Sequence, residues 1–175
     1  MLRALIYLTA LIVAGCADTH KLTRMSVASA PLSREASAYI ALPADGRYGE
    51  ILYPGSGAQT AQEIAAAFAP YLFRISVATV SEDVAGALGS AEAGGYDYVV
   101  YPEILHWEDR ATEWSGKPDL VSIRISMMQT NSRDVLDSGI IEGASGVATF
   151  GGDHPQDLLP EPLHKYTAAL FDGNR

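Results

Sequence analysis

The chain has one cysteine, few positive charges and no apolar run long enough to cross a bilayer, and each shortage removes a class of explanation. With Cys16 alone, no disulfide can form within the chain, so the fold must rest on its core. Lys and Arg number 12 against 21 Asp and Glu, a formal charge of −9. Sequence-independent nucleic-acid binding depends on cationic neutralisation of phosphates, and docking on anionic head groups needs the same attraction, so both are disfavoured. The sequence contains neither the His-Glu-x-x-His zinc motif nor a dinucleotide fingerprint, and Tyr53-Pro54-Gly55-Ser56-Gly57 lacks the Gly-Lys-Ser/Thr ending of a phosphate loop. Gly55-Ser56-Gly57 also lacks the outer spacing of a nucleophile elbow, which disfavours a serine hydrolase. No cofactor, metal ligand set or catalytic residue is assigned, and no internal repeat marks a second domain.

What is present begins at the amino terminus. Arg3 is a positive n-region, Ala4 to Val13 form a short apolar run, and Val13-Ala14-Gly15-Cys16 resembles the lipobox of bacterial lipoproteins. A run of this length falls short of the roughly 20 apolar residues of a transmembrane helix. The resemblance implies that residues 1–15 are a signal peptide and that Cys16 carries a diacylglyceryl thioether and an acylated amine. Anchoring by more than one chain is stable where one is marginal. Ala17, rather than the aspartate that retains lipoproteins at the inner membrane, implies the periplasmic face of the outer membrane. The alternative is an ordinary signal peptide with an incidental cysteine. Removing residues 1–15 takes away Arg3 and brings the formal charge from −9 to −10, so lipid rather than charge must anchor the domain. Ala17 to Arg34 lacks sustained periodicity and reads, with Cys16, as a flexible tether (16–34) with a reach of at most about 60 Å, leaving 35–175 as one domain.

Within that domain, alternation over Ala38, Ile40 and Leu42 predicts a first strand ending at the Pro43 to Gly46 turn. Thr60-Ala61-Gln62-Glu63 has the capping-box pattern, and Ala61, Ile64, Ala65, Phe68 and Leu72 form a helical stripe. Ile75 to Val80 reads as a strand, Ser81 to about Ala93 as a weak helix capped by Ser81, and Tyr96 to Arg110 as a long strand. Val121, Ile123, Ile125 and Met127 alternate with polar residues, and a turn at Asn131 to Asp134 leads into a strand through about Phe150. The final helix has Asp153 as its cap and Pro155 in its first turn, with Pro160 and Pro162 breaking it and Leu163, Tyr166 and Leu170 facing inward. The order β-α-β-α-β-β-β-α predicts an α/β (α+β) fold with a single mixed sheet, helices packed on it, early pairs parallel and late pairs antiparallel.

The densest polar patch is His106 to Gly116. On an extended strand His106, Glu108 and Arg110 point one way, Trp107 and Asp109 the other. Joined by Asp153 and His154, His106 and Glu108 could form an acid/base or metal-binding cluster; alternatively they are strand-end charges that pair across the meander. Trp107, Arg110 and Trp114 could form a partner-binding surface, since aromatics and arginine concentrate in hot spots.

Four stretches carry a wider resemblance: Asp45-Gly46-Arg47-Tyr48-Gly49, Gly55-Ser56-Gly57 with Thr60, Tyr101 to Glu108 through Trp114-Ser115-Gly116, and Thr149 to Pro155. Through them the chain resembles a family of uncharacterised proteobacterial lipoproteins, a domain of unknown function. The element order is similar, at fold level, to the TolB amino-terminal type and to outer-membrane lipoproteins that activate peptidoglycan synthases. The expectation is a non-enzymatic module that touches another envelope protein or a cell-wall component, with no nucleic acid and an open oligomeric state. A hydrolase or metal enzyme using His106, Glu108, Asp153 and His154 is the first alternative, and a structural subunit of a secretion or surface-assembly complex the second.

Overall fold

The computed structural model describes residues 18–110, 117–146 and 154–173; Cys16, Trp114 and Asp153 lie outside them. The chain is extended over β1 (Thr19–Ser26), β2 (Ser37–Leu42), β5 (Arg74–Ser81), β6 (Tyr98–Glu108), β7 (Leu120–Gln129) and β8 (Val135–Ala144). These six strands form one mixed sheet in the order β1-β8-β7-β6-β2-β5, while β3 (Arg47–Tyr48) and β4 (Ile51–Leu52) make a separate short hairpin. Helices α1 (Ser56–Phe68), α2 (Val84–Ala93) and α3 (Pro160–Phe171), with a single 3₁₀ turn at Pro155–Leu158, complete the described elements. As the element order predicts, β2 is parallel to β5 and β6, and β6, β7 and β8 form an antiparallel meander. Among the described residues no helix is long and apolar enough to cross a membrane.

The main core lies between one face of the sheet and the α1/α3 layer. Ile40, Val100, Val121, Ile123, Ile125, Met127 and Ile141 from the strands meet Ile64, Phe68, Leu163, Tyr166 and Leu170 from the helices. Helix α2 covers only the β2/β6 part of the opposite face, burying Ala87, Leu88 and Ala91 against Ala41, Val99 and Met128. Asp97 sets the register of the parallel pair: its carboxylate accepts from Ser37 N at 2.8 Å and Ser37 Oγ at 2.7 Å. Those bonds hold its carboxyl below the ordinary aspartate range.

Several local expectations are corrected. Residues 19–26 are not tether: β1 runs antiparallel to β8, with Thr19 opposite Ala144 and Leu22 opposite Ile141. Its inward positions include His20 and Arg24, so an apolar alternation is masked. Arg24 is paired with Asp137, a residue with no exposed surface, whose Oδ2 also accepts from Ala28 N at 2.9 Å. Beyond β1, Leu32 N donates to Leu170 O and Ser33 N to Tyr98 Oη, fixing this segment to the domain. Helix α1 starts at Ser56, a turn before the capping-box pattern, and Thr60 is buried inside it with its hydroxyl on Ser56 O. Asp83, not Ser81, caps α2 by accepting from Gly86 N. Strand β8 stops at Ala144. Pro160 and Pro162 do not break the last helix but open it, in the first turn where the missing N–H costs nothing.

Candidate functional site

The polar patch lies where β6, β7, β8 and β1 end together: Glu108 is opposite Leu120, Leu120 opposite Ala144, and Ala144 opposite Thr19. The register of β6 shifts between Ile104 and His106, but from His106 onward the expected alternation holds and separates the polar residues. On the uncovered face, Glu108 pairs with Arg110, and His106 Nε2 lies 3.3 Å from Glu108 Oε2. His106 borders a shallow hollow of about 670 Å³ that Thr19, Lys21, Leu105, Ser122 and Glu142 also help to line. On the helix-covered face, His154 Nδ1 lies 3.2 Å from Asp109 Oδ2, beside a smaller cleft of about 310 Å³ with Tyr53 and Trp107. The sheet therefore stands between His154 and the His106–Glu108 pair. The expected convergence of His106, Glu108, Asp153 and His154 is not seen among the three that the structure describes, and no group of three or more His, Cys, Asp or Glu that could hold a metal occurs among the described residues.

Trp107 is corrected as well. It is 2% exposed and belongs to the main core, so it offers almost no surface to a partner. Arg110 is the cation that Glu108, itself 4% exposed, depends on; removing it would strand a buried carboxylate. Of the three expected contact residues, Trp114 falls outside the described residues.

A set of neighbours that the sequence did not single out ties this end together. Asp18 Oδ1 accepts from Gly146 N at 3.0 Å, Ser145 N donates to Asp119 O, and Asp119 N donates to Ser145 Oγ at 2.8 Å. Asp119 Oδ1 in turn accepts from Arg110 N at 2.5 Å. The path runs from the residue before β1 to the end of β6. Isolated aspartates and serines carry no such signal in sequence, because pairing depends on strand register.

The glycine-rich segment before α1 is structural. Asp45 Oδ1 accepts from Gly57 N at 2.9 Å, so a carboxylate from the β2 loop already occupies the positive end of this helix. Ser56 Oγ accepts from Gly46 N and donates to Tyr53 O. A Cβ on Gly57 would lie 2.3 Å from Pro43 O, and one on Gly46 2.5 Å from Trp107 Cβ. The loop, the helix start and β6 approach too closely for any larger residue at these two positions.

These contacts unite stretches distant in sequence, and one family shares their span: a model described as a domain of unknown function, DUF4823, matches residues 30–170. The chain belongs to DUF4823. The Asp45-Gly46, Gly55-Ser56-Gly57 and Thr60 residues on which the resemblance rests are, in this DUF4823 chain, a lock between β2, α1 and β6 rather than a reactive centre. No curated protein matches the chain. Among solved structures, the chain is similar to the PelC dodecamer from Paraburkholderia phytofirmans, with 13% identity, a TM-score of 0.65, and coverage of 91% of this chain and 100% of that one. Protein XCC0632 from Xanthomonas campestris gives 12% identity and a TM-score of 0.50, covering 83% and 92% respectively. Lipoprotein GNA1162 from Neisseria meningitidis gives 13% identity and a TM-score of 0.49, covering 66% and 88%. At these identities the likeness is one of fold.

Proposed function

We propose that this DUF4823 protein is a lipid-anchored module of the bacterial cell envelope, held at the periplasmic face of the outer membrane and acting by contact with another envelope protein or a cell-wall component. The observation that carries the reading is the position of Cys16. It ends a lipobox-like segment and lies two residues before Asp18, whose carboxylate is already bonded to Gly146 at the end of the sheet. An acyl anchor there would hold the folded domain itself rather than a long leader. The chemistry of the site agrees: His106, Glu108 and Arg110 satisfy one another, as do Asp109 and His154, in the manner of strand-end ion pairs. The hydrolase alternative loses its geometric support, because its histidines lie on opposite faces of β6. The direct test is palmitate labelling with membrane fractionation. Wild type should label and sediment with membranes, and Cys16→Ala should do neither; label retained in that variant would overturn the anchor.

A second reading, a subunit of a ring or larger assembly, is favoured by the end-to-end fold likeness to a protein whose structure is a dodecamer. Detergent-extracted native protein should then run as a discrete high oligomer in light scattering, and a monodisperse monomer would sink this reading.

A further inference from the structure

Because β1 is part of the sheet, the distance between a lipid at Cys16 and the folded domain is set by two residues, which span at most about 7 Å. A tether running to Arg34 would have allowed any orientation; this leash does not. It enters at one end of the sheet, where Thr19, Ala144, Leu120 and Glu108 lie side by side. The opposite end, at the β7–β8 turn, is separated from it by the ten residues of β7, about 33 Å at the usual rise of a strand.

The charges at the near end suit an interface with lipid. This is an acidic chain, yet four carboxylates described here are engaged within the protein: Asp18 with Gly146 N, Asp119 with Arg110 N, Glu108 with Arg110, and Asp109 with His154. Carboxylates held in this way repel an anionic head-group layer less than bare ones would.

We infer that the end of the sheet carrying Asp18, Arg110, Asp119 and Gly146 seats directly on the head-group layer of the membrane that holds the anchor, with the Asn131 turn pointing away from it. The inference rests on lipidation of Cys16 and goes beyond it, since an anchored domain on a longer leash would show no preferred end. It also assigns directions to surfaces. The polar hollow beside His106 lies near the lipid, whereas the Asn131 turn faces the periplasm and whatever the module meets there.

The experiment uses the full-length lipidated protein in phosphatidylethanolamine/phosphatidylglycerol vesicles containing a lipid with a nitroxide on its head group. Lipidation consumes the single native thiol, so Lys117→Cys and Asn131→Cys, both at exposed positions, can each be labelled with one fluorophore. The Lys117 label should be quenched several-fold more than the Asn131 label. Inserting a flexible Gly/Ser segment of about twenty residues after Ala17, with an r.m.s. span of roughly 25 Å, should abolish the difference. Equal quenching of the two labels in protein shown by mass spectrometry to carry lipid overturns the seating and leaves the anchor intact. Absence of lipid on Cys16 overturns both. A difference that survives the inserted segment overturns the leash as its cause.

Discussion

Asp137→Ala should be among the most damaging single substitutions in the domain, lowering stability by about 3–5 kcal/mol, the usual cost of removing one partner of a buried ion pair. Asp137 has no exposed surface and Arg24 is largely buried, so truncation leaves a guanidinium on the inward face of β1 without its counter-charge. The same carboxylate receives Ala28 N, and that bond is lost with it. Arg24 also lies over the ring of Tyr166, 5.6 Å from its centroid, which brings α3 into the same cluster. Burial, then the negative charge of Asp137, pushes the Tyr166 hydroxyl well above its ordinary pKa, so beside the intact pair this side chain is neutral. Urea unfolding of the Cys16→Ala domain is the measurement. A midpoint shift equivalent to less than about 0.5 kcal/mol, the level of an ordinary surface change, would show that the pair is not needed. The double variant Arg24→Met/Asp137→Leu should recover much of the loss, because replacing both charges by apolar groups leaves no buried charge unpaired, and only the bond from Ala28 N stays lost. The result bears on position as well as stability. β1 joins the segment that ends at Cys16 to the domain, so with the proposed anchor at Cys16 a variant whose β1 detaches would have a long leash in place of a short one.

The same strand shows where sequence reasoning stops. The meander is legible because Val121, Ile123, Ile125 and Met127 are all apolar and all inward; period two and hydrophobicity agree. In β1 they disagree: His20 and Arg24 take inward positions, and only their partners Glu161 and Asp137, more than a hundred residues away, make those positions tolerable. The start of α1 is hidden for a related reason. Its cap is Asp45 from a preceding loop, not a residue beside the helix, so the local capping pattern at Thr60 points one turn too late. At the candidate site, alternation alone gave the sides of β6 on which His106, Glu108, Arg110, Trp107 and Asp109 lie. It could not place His154, which arrives from another segment, nor tell that the side bearing Trp107 is closed.

Trp107→Ala should cost about 3–5 kcal/mol, as expected for deleting a large buried aromatic, and should therefore appear as a lower melting temperature and faster proteolysis of the domain. A contact residue would behave differently, leaving melting unchanged while weakening partner capture, and that outcome would reverse the assignment of Trp107 to the core. The size of the effect follows from what surrounds the ring. Trp107 is 2% exposed and packs in the core that Val121 and Leu158 share, and the backbone of Gly46 lies directly against its Cβ. Gly46→Ala tests the same contact from the other side, since the added methyl would have to enter within 2.5 Å of Trp107 Cβ; overpacking of this kind costs about 1–3 kcal/mol. Paired with Trp107→Gly, which removes the Cβ that alanine would keep, Gly46→Ala should cost less than it does alone, because the atom it meets is gone. Such coupling would tie the Asp45-Gly46 loop to the end of β6, and so make Gly46 a means of holding the strand end in place rather than a site of chemistry.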